Sequence, residues 1–168
     1  MTTLASRGRC WRAGDYVPTD QIVKSSRVFE PLEEIAKHVL EDENPAFAAG
    51  VQEGDVLVAG RHFGQSSGRA IAVKGLAATG VGCVVADSFS RTFYRNAFEV
   101  GLPILELDGV TAAVREGDVL AVDVAAGTVH VERTGQTLQA PPTDPFLLDM
   151  LGAGGLIPMA ARLAGEGS

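Results

Sequence analysis

Between Gly64 and Arg69 the chain reads Gly-Gln-Ser-Ser-Gly-Arg, which puts two hydroxyls and a guanidinium on a glycine-rich turn. A turn of this kind binds carboxylates or phosphates when it stands between a strand and a helix. The first backbone N–H groups of the helix lack partners, and the helix dipole adds positive charge there. Val56-Leu57-Val58-Ala59-Gly60 on one side is a short apolar run of strand type, and Ala70 to Thr79 on the other is an apolar, alanine-rich segment of helical length. A serine hydroxyl held beside Arg69 in that field ionises more readily than in water, because both features favour its charged form. The chemistry on offer is anion binding with a serine base.

The same residues fit a second pattern. Gly64-Gln65-Ser66-Ser67-Gly68 matches the G-x-S-x-G of a nucleophile elbow, which needs an acid and a histidine further along the chain. His130 is the one histidine that follows, inside a segment that reads as a hairpin strand. A stand-alone serine hydrolase is therefore the rival reading. A Gly-Lys-Ser/Thr phosphate loop is not present. His38 and His62 read as solvated or structural side chains.

The elements that must position the turn alternate. Pro31 opens a helix with apolar residues at Leu32, Ile35, Ala36, Val39 and Leu40, spaced by three and four. Asn44-Pro45 starts a short helix ending near Gly50. After the turn, Gly80 to Ala86 is a second buried strand, Ser90 to Val100 a helix stopped by Gly101, and Leu102 to Leu107 a third strand. This alternation predicts a parallel sheet with helical crossovers. Val119 to Val124 and Thr128 to Arg133 alternate about a turn at Ala126-Gly127 and read as a hairpin. Pro145 to Leu151 reads as a helix. Residues 1–13 are polar and read as a loose start, with Cys10-Trp11 opening a first strand.

Composition bounds the class. The 168 residues suit a single domain, 1–168 with its core at about 14–163, and 46% hydrophobic content argues against disorder. A formal net charge of −7 without any basic run argues against nucleic acid or an anionic membrane as partner. An anionic substrate then needs a local positive pocket, from Arg69 with Lys24, Arg27 or Arg61. There is no transmembrane run and no signal-like start, so a cytoplasmic location is expected. Cys10 and Cys83 are in no metal-like spacing, and two cysteines do not hold an iron–sulfur cluster. No metal site is expected in this chain.

Five ordered blocks point to one family: Asp15-x-x-x-Thr19-Asp20-x-Ile22; Ala59-Gly60-x-x-Phe63-Gly64-x-x-Ser67-x-Arg69; Ser88-Phe89-x-x-x-Phe93-Tyr94-x-Asn96; Gly101-Leu102-Pro103; and Ala153-Gly154-Gly155-Leu156. From about Gly14 to Leu163 the chain resembles the small subunit of 3-isopropylmalate dehydratase, equivalently the swivelling fourth domain of aconitase-type hydro-lyases, in its short archaeal-type version. The resemblance implies an α/β fold, a swivelling β/β/α domain as in the aconitase C-terminal domain. It also implies a partner, a large subunit carrying a four-iron four-sulfur cluster that this chain does not hold.

The family pattern is G-x-G-S-S-R-E, with the first serine as proton-abstracting base and the arginine on a substrate carboxylate. Aligned on Arg69 without a gap, the base is Ser67, Ser66 stands at the family glycine, and Gly68 stands at the second serine, which also binds substrate. A one-residue shift makes Ser66 the base, and the two registers stay open. Thr19-Asp20 matches the loop with an active-site aspartate, so Asp20 is an auxiliary catalytic acid or, more plainly, a helix cap. Ser25 to Phe29 matches the loop that meets the variable part of the substrate. There Ser26-Arg27-Val28 replaces Arg-Tyr-Leu, and Gln65 and Ala70-Ile71 replace the family's Cys and Glu-His.

The implied reaction dehydrates and rehydrates a 2-hydroxy di- or tricarboxylic acid similar to 3-isopropylmalate. Departure of hydroxide needs a Lewis acid, and loss of the weakly acidic proton needs a positioned base. Each charge contact to the serine is worth about 1–3 kcal/mol, too little to ionise it without help from the large subunit. The altered loop predicts that the substrate is not simply isopropylmalate. A subunit that serves only as a non-catalytic lid or assembly factor is the alternative within the same complex.

Overall fold

The computed structural model describes residues 4–66 and 68–166 of the chain. Ser67, the base in the ungapped register, lies outside the described residues.

The described residues form one sheet of seven strands: Ala5–Arg12 (β1), Val56–Ala59 (β2), Cys83–Ala86 (β3), Ile104–Glu106 (β4), Val119–Asp123 (β5), Thr128–Val131 (β6) and Gln136–Gln139 (β7). Their order is β4-β3-β2-β1-β5-β6-β7. β1 to β4 pair in parallel, and β5 to β7 are added antiparallel on the other side of β1. β2 and β3 are buried at every position, as parallel strands covered on both faces must be. β5 and β6 alternate between buried and half-buried residues, the pattern of a sheet with one wetter face.

The loose N-terminus expected from the sequence is corrected here, because residues 5–12 are the central strand. Ala5 to Arg9 pair with β5, and Cys10 to Arg12 pair with β2, so one strand joins the two halves of the sheet. Its outer half is polar because it lies in the wetter, antiparallel part. Asp55 fixes its course, accepting hydrogen bonds from the Arg9 backbone N–H (2.9 Å) and from Trp11 Nε1 (2.9 Å).

The helices are Thr19–Ile22 (α1), Leu32–Ala36 (α2), Phe47–Gly50 (α3), Ile71–Ala78 (α4), Arg91–Val100 (α5), Val110–Ala113 (α6), Pro145–Ala153 (α7) and Leu156–Glu166 (α8). The helix expected over 31–40 is only one turn long. α4 packs on α1 and α2 through Gly75, where a Cβ would stand 2.7 Å from Val23 Cγ2 and 3.2 Å from Ile35 Cγ2. α5 starts at Ser90, whose Oγ accepts from the Phe93 N–H (3.2 Å), and ends at Gly101 in the left-handed region. Gly101 abuts the turn after α7, since a Cβ there would lie 2.7 Å from the Gly154 carbonyl carbon. No single helix among the described residues is long and apolar enough to cross a membrane.

Candidate functional site

Two loops at the end of the parallel strands bring the sequence candidates together. The chain after β2 runs beside the chain after β1: Gly64 N–H donates to Val17 O (2.8 Å), Thr19 N–H to Gln65 O (2.9 Å) and Gln65 Nε2 to Tyr16 O (3.0 Å). Gly60 allows the approach, because a Cβ there would lie 2.8 Å from the Asp15 carboxyl carbon. Asp15 in turn accepts from the Arg61 N–H (2.8 Å). This pairing carries Thr19 and Asp20 to the side of the glycine turn.

Between them is a cleft of about 210 Å³ lined by Thr19, Asp20, Val23, Ser25, Val28, Ser66, Arg69 and Ile71. Asp20 and Arg69 are exposed, Thr19 and Val23 are buried, and Val28 and Ile71 are half-buried against the core. Charged and apolar side chains therefore share the cleft. Arg69 offers a planar fork to a carboxylate, and Val23, Val28 and Ile71 form a small apolar wall for a hydrocarbon substituent. Asp20 does not act as the cap of α1. That position belongs to Pro18, and Asp20 sits within the first turn, free to face the cleft.

The other expected cations are engaged elsewhere. Lys24 pairs with Asp42 (3.0 Å), and Arg27 with Glu41 (3.0 Å) and Glu30 (3.3 Å). Hydrogen bonding to Glu41 pushes the Arg27 guanidinium pKa further up, and the same contact holds the Glu41 carboxyl below its usual range. Arg61 lines a separate hollow with Asp87, Ser88 and Glu106. Of the residues lining the cleft, Arg69 is the cation. Within the expected specificity loop, Ser25 and Val28 reach the cleft while Ser26 and Arg27 do not line it. Val23 and Ile71 are additions. Ile71 could have been found as the hydrophobic residue standing where the family histidine was expected.

Ser66 has φ 87°, a left-handed value that glycine adopts without strain. Gly68 packs beside α5, where an added Cβ would lie 3.2 Å from Thr92 Cγ2. Among the described residues the hydrolase constellation is not assembled. His130 lies on β6, separated from β2 in the sheet by β1 and β5, and its Nδ1 is 2.9 Å from Thr137 Oγ1. His62 stacks on Tyr16 with ring centroids 5.4 Å apart, and His38 lies 3.3 Å from Glu41.

Among the described residues no three His, Cys, Asp or Glu side chains are grouped to hold a metal ion. Cys10 and Cys83 are both buried in the sheet. Burial pushes the Cys10 thiol up to about 12 and the Cys83 thiol up as well.

Comparison with known proteins shows the family. Residues 27–109 match the Aconitase C-terminal domain. The chain is 43% identical over 157 residues to 3-isopropylmalate dehydratase small subunit 1 of Methanopyrus kandleri, covering 93% of this chain and 92% of that one. It is 39% identical over 161 residues to the isopropylmalate/citramalate isomerase small subunit of Methanocaldococcus jannaschii, covering 95% and 96%. A crystal structure of 3-isopropylmalate dehydratase from Methanocaldococcus jannaschii superimposes with a TM-score of 0.89 at 30% identity, covering 97% of this chain and 98% of that one.

Proposed function

The chain belongs to the 3-isopropylmalate dehydratase small-subunit family, and on that premise we propose that it is the small subunit of an iron–sulfur hydro-lyase that dehydrates and rehydrates an alkyl-substituted 2-hydroxy dicarboxylic acid. The observation that carries this reading is the cleft that Arg69 and Asp20 line together with Val23, Val28 and Ile71. A substrate carboxylate meets the Arg69 guanidinium, and its alkyl substituent meets the apolar wall. A third carboxylate would find no partner on the apolar wall of Val23, Val28 and Ile71, which favours dicarboxylic over tricarboxylic acids. The four-iron four-sulfur cluster would sit on the large partner subunit, since two cysteines are too few to hold one.

The chain's own share of the chemistry is to hold the carboxylate, surround the substituent and take the proton. Ser67 is the proton acceptor, in the register that leaves Ser66 at the glycine position. The left-handed φ of Ser66 supports that register, because glycine is the unstrained residue there. Asp20, which also lines the cleft, is the auxiliary acid. Gly68, between base and anchor in the sequence, does not itself line the cleft.

The test is reconstitution with the large subunit under anaerobic conditions and a panel of 2- and 3-alkylmalates, citramalate and a tricarboxylic acid. The expected result is turnover of several alkylmalates and poor use of the tricarboxylic acid. Turnover of isopropylmalate alone would contradict the expectation that the substrate is not simply isopropylmalate. Replacing Ser67 with alanine should lower kcat by roughly a hundredfold or more. Unchanged turnover in that variant would leave the chain as a non-catalytic lid.

A further inference from the structure

The glycine turn does not stand alone; α5 holds it at both ends. At the first end, Ser90 Oγ accepts from the Phe93 N–H and donates to Gly64 O (2.8 Å), so the cap of α5 also fixes the start of the turn. At the other end, Asn96 Nδ2 donates to Gly68 O (3.2 Å), one helical turn beyond Thr92, which packs on the same glycine. Neither Ser90 nor Asn96 lines the cleft, and no residue of α5 does.

In a trans peptide the carbonyl and the following N–H point to opposite sides. Holding Gly68 O toward α5 therefore turns the Arg69 N–H away from α5. The same bond fixes where the Arg69 side chain starts. We infer that Asn96 is a positioning residue for the anion site: through Gly68 O it sets the orientation of the Gly68–Arg69 peptide, and with it the N–H and guanidinium presented to the substrate carboxylate. This inference rests on the functional reading above for its consequence in turnover, but not for its consequence in the loop.

The experiment compares Asn96→Ala, which removes the donor at a helix position that alanine suits, with Asn96→Gln, which keeps an amide donor. Amide exchange is followed by mass spectrometry on peptides covering residues 64–70 and, in the same samples, on β3. The expected result is exchange in the turn about fivefold faster in Asn96→Ala, restored toward wild type in Asn96→Gln, with β3 unchanged. In the active complex, Asn96→Ala should lower kcat/KM about tenfold, again with partial rescue by Asn96→Gln. Wild-type exchange in the turn of Asn96→Ala, or equal acceleration in β3, would overturn the positioning role. A wild-type complex inert toward every alkylmalate would instead sink the functional reading, and the exchange result would still decide the role of Asn96.

Discussion

Phe93 occupies the space in which any side chain at residue 64 would stand: a Cβ built on Gly64 lies 2.6 Å from Phe93 Cβ, and the glycine itself sits at φ 83°. Phe93 cannot move aside easily. It is buried, stacked on Phe89 at 5.7 Å and edge-on to Phe63 at 5.2 Å. Gly64→Ala should therefore cost about 2–4 kcal/mol through combined overpacking and backbone strain. Thermal unfolding should show a drop of roughly 5–12 °C, and the turn should bind carboxylates less well.

Ser66→Gly should relieve backbone strain in the loop rather than add it. The native φ of 87° is strained for serine and unstrained for glycine, while glycine adds chain entropy to the unfolded state. The two terms nearly cancel, so Tm should change by less than about 3 °C. Turnover by the reconstituted complex should be retained if Ser67 is the base, and should fall by roughly a hundredfold if Ser66 is. Steady-state kinetics on this one variant separates the two registers.

Much of the frame was legible in the sequence because its signals are local. The unbroken apolar runs of β2 and β3, Ser90 before α5 and Gly101 after it, and Pro145 after an Asp144 cap each mark an element within a few residues. β1 was not legible, since its outer half is Ala-Ser-Arg-Gly-Arg and is held as a strand only by pairing with β5, over a hundred residues away in sequence. β7 was hidden for a related reason, being a polar strand at the edge of the sheet. In the site, the hydroxyls and Arg69 stood out as residue types. The engagement of Arg27 by Glu41 is a tertiary contact that no spacing reveals.

Arg69→Lys keeps the charge and removes the fork. Arg69 is exposed and makes no ion pair among the described residues, so stability should change little. A lysine offers a point charge where a carboxylate calls for two parallel hydrogen bonds. By the loss of that bidentate contact, kcat/KM for the best alkylmalate should fall roughly ten- to a hundredfold, mostly through KM. A change below about twofold would remove Arg69 from the carboxylate site.

Asp118 gives the fold a pH dependence that is separate from the site. Its carboxylate accepts from Arg133 Nε (2.8 Å) and Nη2 (3.1 Å) and from the Arg115 N–H (2.8 Å), just before β5. Hydrogen bonding to Arg133 is the main reason its pKa lies below the ordinary carboxylate value. A carboxyl with a folded pKa below its unfolded one stabilises the fold above the unfolded pKa, and that contribution is lost as pH falls through the folded pKa. The loss should therefore begin below about pH 4, leaving neutral pH on the plateau. Asp118→Asn should lower Tm at pH 7 by roughly 3–8 °C and should make Tm fall less between about pH 4 and about pH 2 than it does in the wild type. Parallel pH profiles for the two proteins would show that the Arg133 contact does not contribute to acid sensitivity. Convergence of the two curves at low pH is the expected outcome, because the protonated Asp118 carboxyl and the neutral amide of the variant are then nearly equivalent acceptors for Arg133 and the Arg115 N–H.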